Sequence, residues 1–317
     1  MNKHEEIMKR LREHYDEAKT LIPEDRIVGV FLQGSQNYGL EIEGSDVDSK
    51  CIVLPTLEDI IFNRKPVSTT HVRENDEHID LKDIRLMFQT FRKQNMNFIE
   101  ILFTEYKIIN PLYADYWNEL IAQNEMIAQY NPYKAVSTMK GIASEKYHAL
   151  EHRYPSRIAV IDRFGGYDPK QLHHLLRIYD FIIRFTNGEL YSECLKPKEQ
   201  MAQSLKAIKQ FGVDDGLEAA RELANEYFEE IAAIADEFRR THPDEGNPAV
   251  DELLDSVQRK IMKESILMEL QNDVYERVYK ILSPHCDIEW INREPHEPCF
   301  EDLFKEYIIR EELEKHD

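Results

Sequence analysis

Cysteine is scarce in this chain, with four in 317 residues, at positions 51, 194, 286 and 299. That density builds no disulfide framework, so a hydrophobic core has to hold the fold. Also missing is any run of the roughly 18 apolar residues that a membrane-crossing helix needs. The amino-terminal stretch MNKHEEIMKRLREHYDEAK is charged throughout and contains no apolar signal region. A cytoplasmic protein with no membrane partner is the expectation. Positive charge is short as well: 40 Lys and Arg stand against 60 Asp and Glu, a formal net charge of -20. So acidic a surface repels a polyanion, which argues against bulk non-specific nucleic-acid binding. Neither an internal repeat nor a low-complexity linker interrupts the chain.

What is present is long enough for two domains, and a hydrophobic content of 42% suits a globular protein. Its most informative stretch is 31–54, FLQGSQNYGLEIEGSDVDSKCIVL. An apolar strand candidate, 27–32, runs into Gly34-Ser35, and after a spacer of ten residues Asp46 and Asp48 flank Val47 at the start of a second strand, 50–54. Residues two apart on a strand project to one side, so both carboxylates would face one way while Val47 enters the core. Carboxylates held this close suit Mg²⁺, which takes a few of them together with water and substrate phosphates. Glycine lets the backbone come near a phosphate, and turn amides with the Ser35 hydroxyl can donate to it. Together the two parts describe a site for a metal-bound nucleoside triphosphate.

Gly34-Ser35 and Asp46-x-Asp48 at this spacing resemble the signature of the DNA polymerase beta superfamily of nucleotidyltransferases. Further stretches, Asn97-Phe98-Ile99-Glu100-Ile101-Leu102, Gly166-Tyr167-Asp168-Pro169-Lys170, His174-Leu175-Leu176-Arg177 and Gly188-Glu189-Leu190, resemble its bacterial and phage branch, so the likeness covers about 26–200. Lys50 stands where that pattern has arginine, and Met96 where it often has proline. The resemblance implies an α+β fold, a small mixed-sheet polymerase beta-like domain over 1–111 followed by an all-helical domain over 112–317. It also implies a third carboxylate on a later strand. Asp80 has that setting, between Ile79 and Leu81 in the second arm of a hairpin, 68–73 and 78–81, and is preferred to Asp76 and Asp83. Asp83 stands at the start of the next helix, where an acidic residue already has a structural reason.

The implied chemistry is transfer of NMP from an NTP to a hydroxyl, on an RNA end or a protein side chain, with pyrophosphate leaving. Two Mg²⁺ or Mn²⁺ ions about 3.5–4 Å apart would be held by Asp46, Asp48 and Asp80. Small-molecule acceptors and a nucleotide-binding sensor without turnover are the alternatives. Tyr38, between the turn and the carboxylates, has two readings: a stacking platform for a base, or cover for the edge of the core.

From 112 onward the periodicity is almost entirely helical, with expected helices at 113–129, 133–151, 169–186, 198–211, 215–242, 247–270 and 301–315. One segment, 134–177, is net positive, with eight basic residues against four acidic. There Lys170, His174 and Arg177, at i, i+4 and i+7, share a helix face behind an Asp168 N-cap, and are candidates to bind the nucleotide with Gly34 and Ser35. His173, one step round, reads as packing or surface. His285, Cys286, His296 and Cys299 are zinc-ligand types, but their spacing matches no paired zinc knuckle, and reduced cysteines are the better account.

Overall fold

The computed structural model describes residues 2–282. The expected helix at 301–315 and the His285, Cys286, His296 and Cys299 group lie outside them. Helix α1, Lys3–Leu21, opens at Asn2, whose side chain accepts from the Glu5 amide while Glu5 bonds back. Strands β1 (Ile27–Gln33), β2 (Asp48–Val53), β3 (Ser68–Val72), β4 (His78–Asp83) and β5 (Lys107–Ile109) form a mixed sheet in the order β3-β4-β2-β1-β5. Only the β2–β4 pair is parallel. The molecule is α+β, with mostly helical chain after the sheet.

The helices after α1 are α2 (Leu57–Ile61), α3 (Ile84–Arg92), α4 (Met96–Ile99), α5 (Ala114–Ile121), α6 (Asn124–Ala128) and α7 (Pro132–Ala149). They continue as α8 (Ile158–Arg163), α9 (Pro169–Thr186), α10 (Tyr191–Leu195), α11 (Glu199–Phe211), α12 (Gly216–Thr241) and α13 (Pro248–Leu282). The helix expected over 113–129 is broken into α5 and α6, and α13 runs twelve residues past its expected end. Strand β5 is not visible in the sequence because three residues show no usable alternation. Gly29 on β1 makes room for it: a Cβ there would sit 2.8 Å from the Ile108 carbonyl oxygen.

Strand alternation divides the sheet. Val30, Cys51, Val53, Ile79 and Leu81 face α1 and pack with Leu11, Tyr15 and Ala18. Burying each large apolar side chain contributes about 1.5–3 kcal/mol. Phe31 and Ile52 face the other way, into a core shared with α3, α5, α7, α9 and α12. The chain divides into two compact units, Met1–Ile266 and Leu267–Asp317. The described part of the second is the end of α13. No described helix is long and apolar enough to cross a membrane.

Two buried histidines make the fold sensitive to acid. Burial, followed by the Arg73 charge, pulls His14 from 6.5 to about 4. Burial also takes His173 to about 4, against the opposing bond to the Leu205 carbonyl. Both are neutral in the fold and titrate near 6.5 when unfolded, so unfolding takes up protons between those values and stability drops as pH falls through the window. Thermal melts from pH 6.5 to about 4 should show it, at up to about 1.4 kcal/mol per pH unit for each group. His173→Gln should flatten part of the slope.

Candidate active site

The register of the sheet assembles one polar face. Gln33 pairs with Asp48, Lys50 with Asp80, and Thr70 with Asp80. Partners in register share a face, as do residues two apart, so Gln33, Asp48, Lys50, Thr70, His78, Asp80 and Lys82 project together. Val47 is fully buried on the opposite side, against Leu32 and Ile7. Asp48 is the first residue of β2, whereas Asp46 precedes the strand and is exposed. Strand alternation therefore does not orient Asp46 as expected; the loop ahead of β2 does.

That loop is held by Glu77, which is 1% exposed. Its carboxylate accepts from the Val47 amide at 3.2 Å, from Arg73 at 2.6 Å, from Asn75 at 2.8 Å, and from Arg10. His14 adds its Nε2–H at 3.0 Å, and its Nδ1 accepts from the Ser49 hydroxyl at 2.8 Å. The bond to Val47 fixes the one residue between the two aspartates. Nothing in Glu74-Asn75-Asp76-Glu77 distinguishes it from a solvated acidic turn, so sequence reasoning missed it.

Two cavities meet at Gln33, Gly34, Ser35, Asp48 and His174. The first, about 390 Å³, also has Asp80, Lys50, Lys82, Lys146, Glu100 and Arg177 in its wall. The second, about 570 Å³, has Asp46, Ser45, Arg157, Arg163, Lys170 and Lys209. Asp48 borders both, Asp46 only the second, and Asp80 only the first. Gly34 has a φ of 88°, a conformation that favours glycine, and from it the chain turns into a short 3-10 helix, Ser35–Tyr38.

The carboxylates are engaged. Asp48 accepts from the His78 amide at 2.9 Å and ring at 3.1 Å. Asp80 accepts from Thr70 at 2.5 Å and Gln33 at 3.2 Å, with Lys50 Nζ at 3.7 Å. Burial would raise its pKa, but Thr70, Lys50 and Gln33 outweigh that and keep it below the usual range. Lys50 is itself buried, bonded to Gln33 and 4.6 Å from the Phe98 ring centroid. Burial lowers its pKa to about 8 against the pull of Asp80. Asp83 caps α3 through the Arg85 amide, and Asp76 sits in the hairpin turn with φ 64°. Among the described residues no three of His, Cys, Asp and Glu are gathered to hold a metal ion. Asp46 and Asp48 line one cavity, and carboxylates are ligands that Mg²⁺ takes together with phosphate oxygens and water.

Lys170, His174 and Arg177 of α9 reach these cavities in sequence: Lys170 in the second, His174 in both, Arg177 in the first. Asp168 caps the helix through the Lys170 amide and holds Arg157 by two bonds, 2.7 and 2.9 Å. Burial, then His173, drives His174 well below 6.5, so its ring is neutral. Arg177 is 6% exposed, with its guanidinium carbon 3.5 Å from the Tyr38 ring centroid. Tyr38 is thus buried under an arginine and covers the core edge. Burial raises Glu100 to about 8, against Arg177 and the Gly34 backbone. Lys209 of α11, unmarked in an acidic stretch of sequence, places Nζ 3.4 Å from Ser35 Oγ and 3.5 Å from Ser45 Oγ.

Glu77→Gln removes the charge that Arg10 and Arg73 share and should cost about 3–5 kcal/mol in denaturant unfolding. Asp76→Ala, one residue earlier in the exposed turn, should cost far less.

No protein-family model matches the chain, and no curated protein matches it. Among solved structures, a nucleotidyltransferase-like protein from Exiguobacterium sibiricum 255-15 aligns over 87% of this chain and 91% of its own, at 13% identity and a TM-score of 0.29. A likeness at that score carries no argument, and the site stands on its own residues.

Proposed function

We propose that this protein is a metal-dependent nucleotidyltransferase that moves NMP from an NTP to a hydroxyl acceptor and releases pyrophosphate. The observation that carries this is the position of Asp48 where two cavities meet, with Asp46 on one side, Asp80 on the other and the Gly34-Ser35 turn at the shared rim. In-line displacement at phosphorus needs room on opposite sides of the reacting atom, for the leaving pyrophosphate and for the attacking hydroxyl.

Asp46 and Asp48 would hold one Mg²⁺ or Mn²⁺, and Asp48 with Asp80 a second. The ions would neutralise phosphate charge and make the hydroxyl more acidic. Lys209, Lys170 and Ser35 would bind the β- and γ-phosphates as charge develops on the leaving group. Neutral His174 would donate or accept a hydrogen bond between the two cavities without adding charge. In this reading 1–111 supplies the carboxylates, and α9 and α11 supply Lys170, His174, Arg177 and Lys209 around them. An RNA end or a protein hydroxyl is one class of acceptor; the 390 Å³ volume beside Asp80 favours a small molecule as the second. A sensor without turnover would not need Asp80 held ionised beside the entry of a hydroxyl.

Incubation with each α-labelled NTP and Mg²⁺ or Mn²⁺, with RNA, protein and metabolite pools supplied separately, tests the reading. Label should transfer and pyrophosphate appear with the wild type, and neither with the Asp46→Ala/Asp48→Ala variant. Equal labelling by that variant overturns the assignment. Asp80→Ala should lower transfer by about 100-fold or more while leaving most NTP binding in place. Equal loss of both would count against a hydroxyl-side role for Asp80.

A further inference from the structure

Resting on the nucleotidyl-transfer reading, we infer that the cavity between the polar sheet face and helices α7 and α9 is the acceptor site, and that its acceptor is a small hydroxyl compound bearing a phosphomonoester. The carboxylates separate the roles. The cavity with Asp46 also holds Lys209, which reaches Ser35 and Ser45, and exposed Lys170, so the triphosphate belongs there. The attacking hydroxyl then comes from the opposite side of Asp48, where Asp80 is.

An anion is indicated by cations in the wall of that first cavity that lack a buried carboxylate at hydrogen-bond distance. Arg177 is 6% exposed, and its Nε and Nη2 find no hydrogen-bond partner. A buried charged donor left unpaired is costly, and an anion reaching the guanidinium would offset that cost. Lys82 is held by the Ser68 hydroxyl at 2.8 Å, and among the described residues no carboxylate lies within ion-pair distance of it. Lys146 pairs with the exposed carboxylate of its neighbour Glu145, at 2.7 Å, its one ion pair among the described residues. Of the other charges in the wall, Lys50 sits with Asp80, Asp48 takes its bonds from His78, and burial pushes the Glu100 carboxyl up against the pull of Arg177. A phosphomonoester brings a charge of about -1.5 to -2, matching this excess. Phe98, Ile142 and Ile178 supply apolar wall for the body of the molecule, and a volume of about 390 Å³ is that of a small-ligand pocket.

The step balances. The acceptor hydroxyl oxygen forms a bond to the α-phosphorus, the bond from that phosphorus to the bridging oxygen breaks, and pyrophosphate leaves with the electron pair. The hydroxyl proton leaves to water.

Calorimetry on the full chain without NTP should show ribose 5-phosphate, glycerol 3-phosphate or a nucleoside 5′-monophosphate binding where its unphosphorylated counterpart does not. Lys82→Gln/Lys146→Gln should weaken that binding about 10-fold, close to 1.4 kcal/mol, and leave NTP affinity within about twofold. Lys209→Ala should do the reverse. In the transfer assay the label should appear on the phosphorylated compound. The inference is overturned if phosphorylated and unphosphorylated compounds bind alike, if Lys209→Ala alone weakens them, or if label goes only to RNA or protein. That last outcome leaves nucleotidyl transfer standing, whereas absence of NTP binding and of pyrophosphate with every acceptor removes both.

Discussion

A single buried carboxylate organises the carboxylate side of the candidate site. Glu77 gathers Arg10 and His14 from α1, Arg73 and Asn75 from its own hairpin, and the Val47 amide from the loop before β2. A lone ionised carboxylate in such surroundings would be costly, and two arginines with three further donors compensate for it. The same bonds set where Asp46 leaves the loop and where Asp48 enters the strand. Val47 is caught twice, by its side chain in the apolar cluster with Leu32 and by its amide on Glu77.

The parallel pairing of β2 with β4 does the rest. A hairpin whose second arm lies beside β2 puts Lys50 opposite Asp80, so the third carboxylate arrives on the same face as Asp48. It arrives with a lysine for a neighbour. Lys50 shares Gln33 and Asp80, and its burial lowers its own pKa to about 8 against the pull of Asp80. This residue is also a departure from the resembled pattern, which has arginine there; a compact ammonium neutralises Asp80 from one direction and lacks the fork that would grip two oxygens at once.

Local patterns make much of this legible. The hairpin at 68–72 and 78–83, the Asp83 cap and the full extent of α9 follow from periodicity, caps and turn residues. Helical spacing puts Lys170, His174 and Arg177 on one face, and all three reach the cavities. What escapes depends on long-range packing. Lys209 comes to Ser35 across 174 positions of sequence, and Glu77 looks like an acidic turn until α1 covers it. Arg177 is the intermediate case: its helix face is readable, but its burial against Tyr38 is not, because that contact joins segments 139 residues apart.

The Phe31 ring on β1 lies 5.0 Å from Trp117 on α5, and Tyr191 on α10 bonds the Met96 carbonyl, inside a core that continues from the sheet to α12 and α13. Sheet and helices therefore share one interior. A protein built this way cannot trade its helical half for another as a unit, because every such exchange would also repack the strands that carry the carboxylates. Under the proposed function, a change of substrate would fall to rim side chains such as Lys82, Lys146 and Lys209, with the shared interior held constant.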